Sequence, residues 1–462
     1  NGGSLELKNG AQILPYNAAY CYDFTTDAGG EITMTDTIID RACEVDVNSH
    51  LFEFDHLTIK NTQWDGLTIH TTNSVNSSIQ NITLENIPSS HRGMDLEYPI
   101  ASNSTYCICN LSMSSILEFT SSQPMNASKF LLNNISNGNG ISLVWTGINY
   151  IDLFEVSNIY CDSIVFCSNN VQIDTDSMTL PTNRLHPKYT FADLSLVSTL
   201  YVDVEHGVNS SFDNISITSS GVTAFNLNGL RGDSTVILSN VTLSSSQNSN
   251  RGLNTNVIHS DLIFSNLDVQ GYARDQVKVE SNACSTCTIT FQNSTISNAS
   301  SDNEWGIYSS SSALMILDNT TVSDNANNPT VTKTYQTGGV YSQNLIIKNS
   351  NISNNYYFNS SHSTEGLRSW KIECNGVYSS NSLTIENSTI SNNCHRVFHT
   401  SSWYISEYHG YSSTRWTTQC YSNSDLPGDS DCFRVEAYGV RGYEIQILNS
   451  NISDNSQISR TQ

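Results

Sequence analysis

The stretch LTIENSTIS, residues 383–391, alternates apolar and polar residues and then bends at Asn387 before a further apolar residue, Ile390. Alternation of period two marks a strand with one buried face. Asn is one of the few L-residues that enters left-handed backbone geometry at a bend. The same phrase returns as ITFQNSTIS at 289–297, LMILDNTTVS at 314–323, LIIKNSNIS at 345–353 and IQILNSNIS at 445–453. Taking the first Asn after the strand as position zero, the template asks for apolar residues at −4, −2 and +3.

Walked along the chain, the template sets position zero at Asn9, Asp36, Asn61, Asn81, Asn110, Asn134, Asn158, Asp193, Asn214, Asn240, Asn266, Asn293, Asn319, Asn349, Asn387 and Asn449. No copy is polar at −2. The −4 position fails at Ser77 and Ser210, and the +3 position at Gln12 and Asn137. The commonest spacing is about 26 residues, and no segment sustains a helical period, which excludes leucine-rich, helical and propeller repeats. A parallel β-solenoid remains. Its coils of three short strands and three bends stack at about 4.8 Å, so about sixteen coils predict a rod roughly 75 Å long. The −4, −2 and +3 side chains are expected to stack inside, with the position-zero Asn residues forming an inward amide ladder.

LTIENSTISNN resembles the second strand, Asn bend and third strand of the right-handed parallel β-helix family, the pectin-lyase-like superfamily. GIYSS at Gly306, GGVYSQ at Gly338 and GVYSS at Gly376 are similar to its Gly-hydrophobic first strand, also found in surface adhesins. The resemblance covers roughly residues 30–455 and implies an all-β, right-handed parallel β-helix as a single domain over 1–462. It says little of function, because one fold hosts many. The polygalacturonase motifs Asn-Thr-Asp, Asp-Asp, Gly-His-Gly and Arg-Ile-Lys are absent, as is the pectate lyase Arg-x-Pro-x-x-Arg; Arg184–Tyr189 lacks its spacing and second Arg. The resemblance is therefore to a surface or adhesin-like member rather than a catalytic one. A polysaccharide hydrolase or lyase stays open as the alternative, with Asp55, His56, Lys60 and Asp65 the best cluster for paired-carboxylate chemistry.

Composition agrees with an extracellular scaffold. Asn, Ser and Thr number 54, 71 and 42, while Lys and Arg total only 20. The net charge of −23 argues against a nucleic-acid partner. No apolar run is long enough to span a membrane. Residue 1 is Asn, so a processed or excerpted form is expected. Twelve Cys in such a chain favour an oxidising compartment and structural disulfides. Sequence neighbours are the expected partners: Cys21 with Cys43, Cys161 with Cys167, Cys374 with Cys394, and Cys420 with Cys432.

Residues 394–443 interrupt the repeat and carry about twice the chain's 9% of aromatics. Trp403, Tyr404, Tyr408, Tyr411, Trp416 and Tyr421 suit protein contacts or sugar stacking, so a carbohydrate-binding module is a third reading. Asp425, Asp429 and Asp431 offer hard oxygen ligands for calcium, the one cofactor considered; the acids between 23 and 46 do the same. Arg231–Asp233 matches an adhesion tripeptide. Sixteen N-glycosylation sequons occur, eight at position zero and eight out of phase. An inward ladder leaves the second set, Asn76, Asn103, Asn126, Asn209, Asn298, Asn351, Asn359 and Asn451, as the expected glycan carriers. The template begins at Leu5 and ends at Ser453 with no covering helix, so open coil edges are expected to join copies head to tail.

Overall fold

The computed structural model describes residues 3–17, 19–70, 78–88, 91–97, 104–113, 116–121, 125–137, 140–145, 149–168, 188–206, 209–219, 223–231, 234–245, 251–257, 260–280, 286–299, 305–325, 335–355, 357–359, 371–393, 395–398, 406–410, 413–417, 419–421, 431–455 and 457–460. No helix occurs among them. The chain is all-β and forms parallel ladders of many strands, a parallel β-solenoid. It divides into two compact units, Asn1–Ile217 with Asn226–Ile237, and Thr218–Phe225 with Leu238–Gln462.

In the second unit the template is read directly as columns. The −2 residues Phe291, Leu317, Ile347 and Ile385 are successive parallel partners and fully buried. So are the +3 residues Ile296, Val322, Ile352 and Ile390. A third wall comes from the Gly-hydrophobic strands, with Ile307, Val340, Val377 and Val440 stacked inward. In the first unit the −2 column runs from Leu7 through Met34, Phe54, Ile79, Ile108, Leu132, Val156 and Phe191 to Phe212. The rings of Phe191 and Phe212 stack at 5.1 Å.

The bends are left-handed, as the Asn content implies. Asn9, Asp36, Asn81, Asn110, Asn134, Asp193, Asn214, Asn240, Asn266, Asn293, Asn319, Asn349, Asn387 and Asn449 all have φ between 48° and 59°. One assignment is corrected. Thr35 pairs with Asp55 and Thr37 with Leu57, so His56, at φ 53°, is the residue opposite Asp36. Asn61 instead stands opposite Arg41, at a second left-handed bend five residues on. His56 does at this corner the backbone work that Asn or Asp does in the other coils. The second bend recurs at Asn86, Asn298, Asp324, Asn354, Asn392 and Asp454.

The position-zero ladder is also corrected: it lies outside. Asn110 Nδ2 donates to Asn81 Oδ1 at 2.7 Å and Asn134 Nδ2 to Asn110 Oδ1 at 2.6 Å, on the exposed corner. The left-handed residue shifts the alternation by one, so +1 and +3 face inward and zero does not. The buried amide ladder is six residues on. Asn325 Nδ2 donates to Asn355 Oδ1, Asn355 Nδ2 to Asn393 Oδ1 and Asn393 Nδ2 to Asn455 Oδ1, each at 2.8 Å. Asn325, Asn355 and Asn393 are fully buried.

Glycines make room for it. A Cβ at Gly339 would lie 2.8 Å from Asn355 Nδ2 and 2.6 Å from the Gly376 carbonyl oxygen. Buried hydroxyls complete the corner. Ser350 Oγ accepts from Thr320 N at 3.0 Å and donates to Lys348 O at 2.6 Å, and Ser388 repeats the pattern with Ser350 N and Glu386 O. Each interior polar group named here thus has a partner, as a low-dielectric core requires.

The insertion opens on His395–Phe398, which pairs in parallel with Tyr357–Asn359 and Gln457–Arg460, and continues in antiparallel pairs. Ser406–Gly410 pairs with Ser413–Thr417, and Gln419–Tyr421 pairs with the start of Asp431–Arg441. Residues 434–441 pair in parallel with 371–378, so they already belong to the solenoid wall rather than to the insertion expected to reach 443.

Candidate functional site

In the first unit, the wall that includes Leu67–His70, Arg92–Glu97 and Ile116–Ser121 turns alternate side chains outward. Asp46, Thr68, Asp95 and Glu118 occupy one column across successive strands. Between them inward neighbours such as Met94 and Leu96 are fully buried, which fixes the outward set by strand parity. Arg92 closes over the column. Its guanidinium bonds the Asp95 carboxylate, and its Nε lies 2.6 Å from Glu118 Oε2. Asp65 accepts the Arg92 backbone N–H at 2.9 Å and faces His91 Nδ1 at 3.3 Å.

The electrostatics divide this surface. Burial opposes the Arg92 charge, but Asp95 and Glu118 outweigh it and hold the guanidinium above its ordinary range. Glu44 lies on the acidic side. Partial burial, then Asp23, Asp46 and Asp65, raise its carboxyl above the usual carboxylate range. The arrangement sets one carboxyl that keeps its proton to higher pH among neighbouring acidic side chains. That is the raw material of acid–base chemistry and equally of binding to a cationic group.

The sequence-derived cluster is not brought together. Asp55 and His56 sit at a bend, with His56 Nδ1 2.9 Å from Asp55 Oδ1, and Asp55 accepts Asn81 Nδ2 at 2.6 Å in the outer ladder. Lys60 ends the strand Ala42–Lys60, opposite Asp40 and Glu85, and Asp65 belongs to the Arg92 group. His91, Arg92, Asp95 and Glu118 were not singled out by sequence. Only the stacking register gathers them, because they come from two strands that no local motif links.

Of the expected bridges, Cys21–Cys43 is formed. Cys161 is instead a buried thiol at an inward +3 position of its coil, in line with Leu196; the Cys167 side chain lies outside the described residues. Cys394 lies outside them too. Cys420 and Cys432 are register partners in an antiparallel strand pair. Cys109 and Cys287, absent from the expected set, are disulfide-bonded. Of the aromatic set, Tyr408, Trp416 and Tyr421 lie on strands, while Trp403, Tyr404 and Tyr411 are outside the described residues.

Asp425, Asp429 and most of the adhesion tripeptide also lie outside. Among the described residues, no three His, Cys, Asp or Glu side chains are placed to hold a metal ion. No helix is long and apolar enough to cross a membrane. Asn209, Asn298, Asn351 and Asn451 are exposed, but so are most position-zero sequons. The out-of-phase positions Asn76 and Asn103 lie outside, and of Asn126 and Asn359 only the strand backbone is described.

Sequence reasoning also passed over an aromatic column. Tyr308, Tyr341 and Tyr378 line the outer face of the second unit's Gly-hydrophobic wall, with Tyr308 stacked on Tyr341 at 5.0 Å and Tyr378 edge-on to Tyr341 at 5.2 Å. Lys278 is in register at one end, and Arg441 lies over the Tyr378 ring at 4.7 Å at the other. The signal was the Tyr shared by GIYSS, GGVYSQ and GVYSS. In comparisons with known proteins, no family model, curated protein or solved structure matches this chain.

Proposed function

We propose that the chain is a secreted structural or adhesive glycoprotein, a subunit of a filament or surface coat that associates end to end with its own copies or with other extracellular proteins. The observation that carries this reading is where each coil spends its polar side chains. Asn and Ser side chains hydrogen-bond to the equivalent residue of a neighbouring coil and Tyr rings stack on theirs, which suits a stiff scaffold. The Cys21–Cys43 bridge supports an oxidising compartment. The family resemblance, with its right-handed coil, belongs to the same reading, since parallel crossovers are right-handed in nearly all folds. The aromatic insertion is the part assigned to contacts. The test is imaging and sedimentation of the secreted chain: fibres or coat-like arrays support it, and a strictly monomeric species at high concentration counts against it.

A second reading, polysaccharide cleavage, is favoured by Glu44 beside Asp46 and Asp65. It requires turnover of an acidic glycan that is lost in Glu44→Gln. Binding of a glycan array through Trp416 and Tyr408, without turnover, would favour a binding module.

A further inference from the structure

The outer ladder assigns a direction to the Asn110 amide. Asn110 accepts from Asn134 on one side through Oδ1 and donates to Asn81 on the opposite side through Nδ2. The N–H used is therefore the one antiparallel to the C=O. The other N–H, on the carbonyl side of the nitrogen and away from Cβ, is not needed by the ladder, and Asn110 is exposed. Asn81 repeats the pattern, accepting from Asn110 and donating to Asp55, while Asn134 and Asn319 each donate one Nδ2 bond to the preceding coil; all four begin a sequon.

We propose that these position-zero sequons carry N-linked glycans and keep the ladder intact. This rests on the reading of the chain as a secreted glycoprotein. In the transfer, Asn Nδ2 forms a bond to the anomeric carbon of a diphosphate-activated oligosaccharide. The bond from that carbon to the phosphate oxygen breaks, the diphosphate leaves, and one Nδ2 proton goes to base. The product is a secondary amide, which like a peptide prefers the two carbon substituents trans. The sugar then occupies the outward position, and the remaining N–H is the antiparallel one that the ladder uses. Transfer before folding creates no conflict, because a glycosylated Asn stacks as an unmodified one does. An inward Asn has no such freedom; none of the buried ladder residues Asn325, Asn355 and Asn393 begins a sequon.

The test is to secrete the full chain from a eukaryotic cell and release glycans with an amidase in heavy-oxygen water, which marks each occupied Asn as labelled Asp. Marks at Asn81, Asn110, Asn134 and Asn319 are expected. Marks confined to Asn209, Asn298, Asn351 and Asn451 overturn the inference and leave the glycoprotein reading standing; no mark anywhere overturns both. A second measurement isolates the ladder. Trimming each glycan to one sugar keeps the amide N–H and is expected to leave the melting temperature unchanged. Amide hydrolysis to Asp removes the donor and is expected to lower it by several degrees. Equal melting temperatures for the two products overturn the ladder-compatible geometry.

Discussion

Asn355 shows how much a single amide does in this fold. Its Nδ2 donates to Asn393 Oδ1 and to Val322 O, and its Oδ1 accepts from Asn325. Asn355→Ala strands buried donors and acceptors on both neighbours, each costing about 1–3 kcal/mol. Urea unfolding should show a lower midpoint; an unchanged one would mean water or rearrangement satisfies them. Gly339→Ala should cost a similar amount, about 1–3 kcal/mol, because the added methyl overlaps a backbone oxygen that cannot retreat.

Glu44 gives the pH counterpart. Its folded carboxyl is raised, by burial first and then by Asp23, Asp46 and Asp65. The stability it contributes is full below the unfolded value of about 4.3 and is lost as pH rises through the folded value. Glu44→Gln should therefore stabilise the protein at neutral pH and leave it unchanged in acid. A constant difference at all pH values would refute the assignment.

The buried ladder was present in the sequence as the pairs Asp324–Asn325, Asn354–Asn355 and Asn392–Asn393. It was not legible as the inner one because both bends are rich in Asn. Yet the template's own spacing held the answer. Apolar positions at −4 and −2 are even and at +3 odd, which is possible only if the bend changes the parity between them.

At the scale of the element, strand identity was legible wherever apolar alternation met an Asn bend, as at 289–297 or 383–391. It failed at Leu51–Asn61, where the corner residue is His56 and the second bend, Asn61, matches the template by coincidence of spacing. The outer Arg92 group was illegible for a different reason. Its members acquire a common face only through register, which one sequence does not print.

The N-terminal coils offer an element-scale test. The Cys21–Cys43 bridge closes 22 residues of chain, and loop entropy gives it about 3 kcal/mol. Replacing both Cys by Ser should reduce hydrogen-exchange protection in Tyr22–Lys60 by a corresponding factor. The second unit's Asn ladder should keep its protection, since solenoid stability is summed over nearest neighbours. Equal loss at both places would show a single cooperative unit instead.

For the whole molecule the controlling quantity is charge. Copies that each carry −23 repel one another at neutral pH, so an end-to-end contact must overcome that repulsion through backbone pairing and apolar burial. Screening then has a definite sign. The Debye length falls from about 30 Å at 0.01 M salt to about 3 Å at 1 M. Like-charge repulsion is removed over that range, while hydrogen bonds between strand edges and buried apolar contacts are little affected. The proposed end-to-end assembly should accelerate with added salt. It should accelerate again as pH falls toward the isoelectric point near 4.6, where net charge vanishes. Light scattering at fixed protein concentration reads both. An assembly held by complementary charged ends would respond oppositely to salt, dissolving as screening increases. That result would move the joint from the strand edges to charged patches such as the Arg92 group, and would remove edge pairing as the basis of self-association.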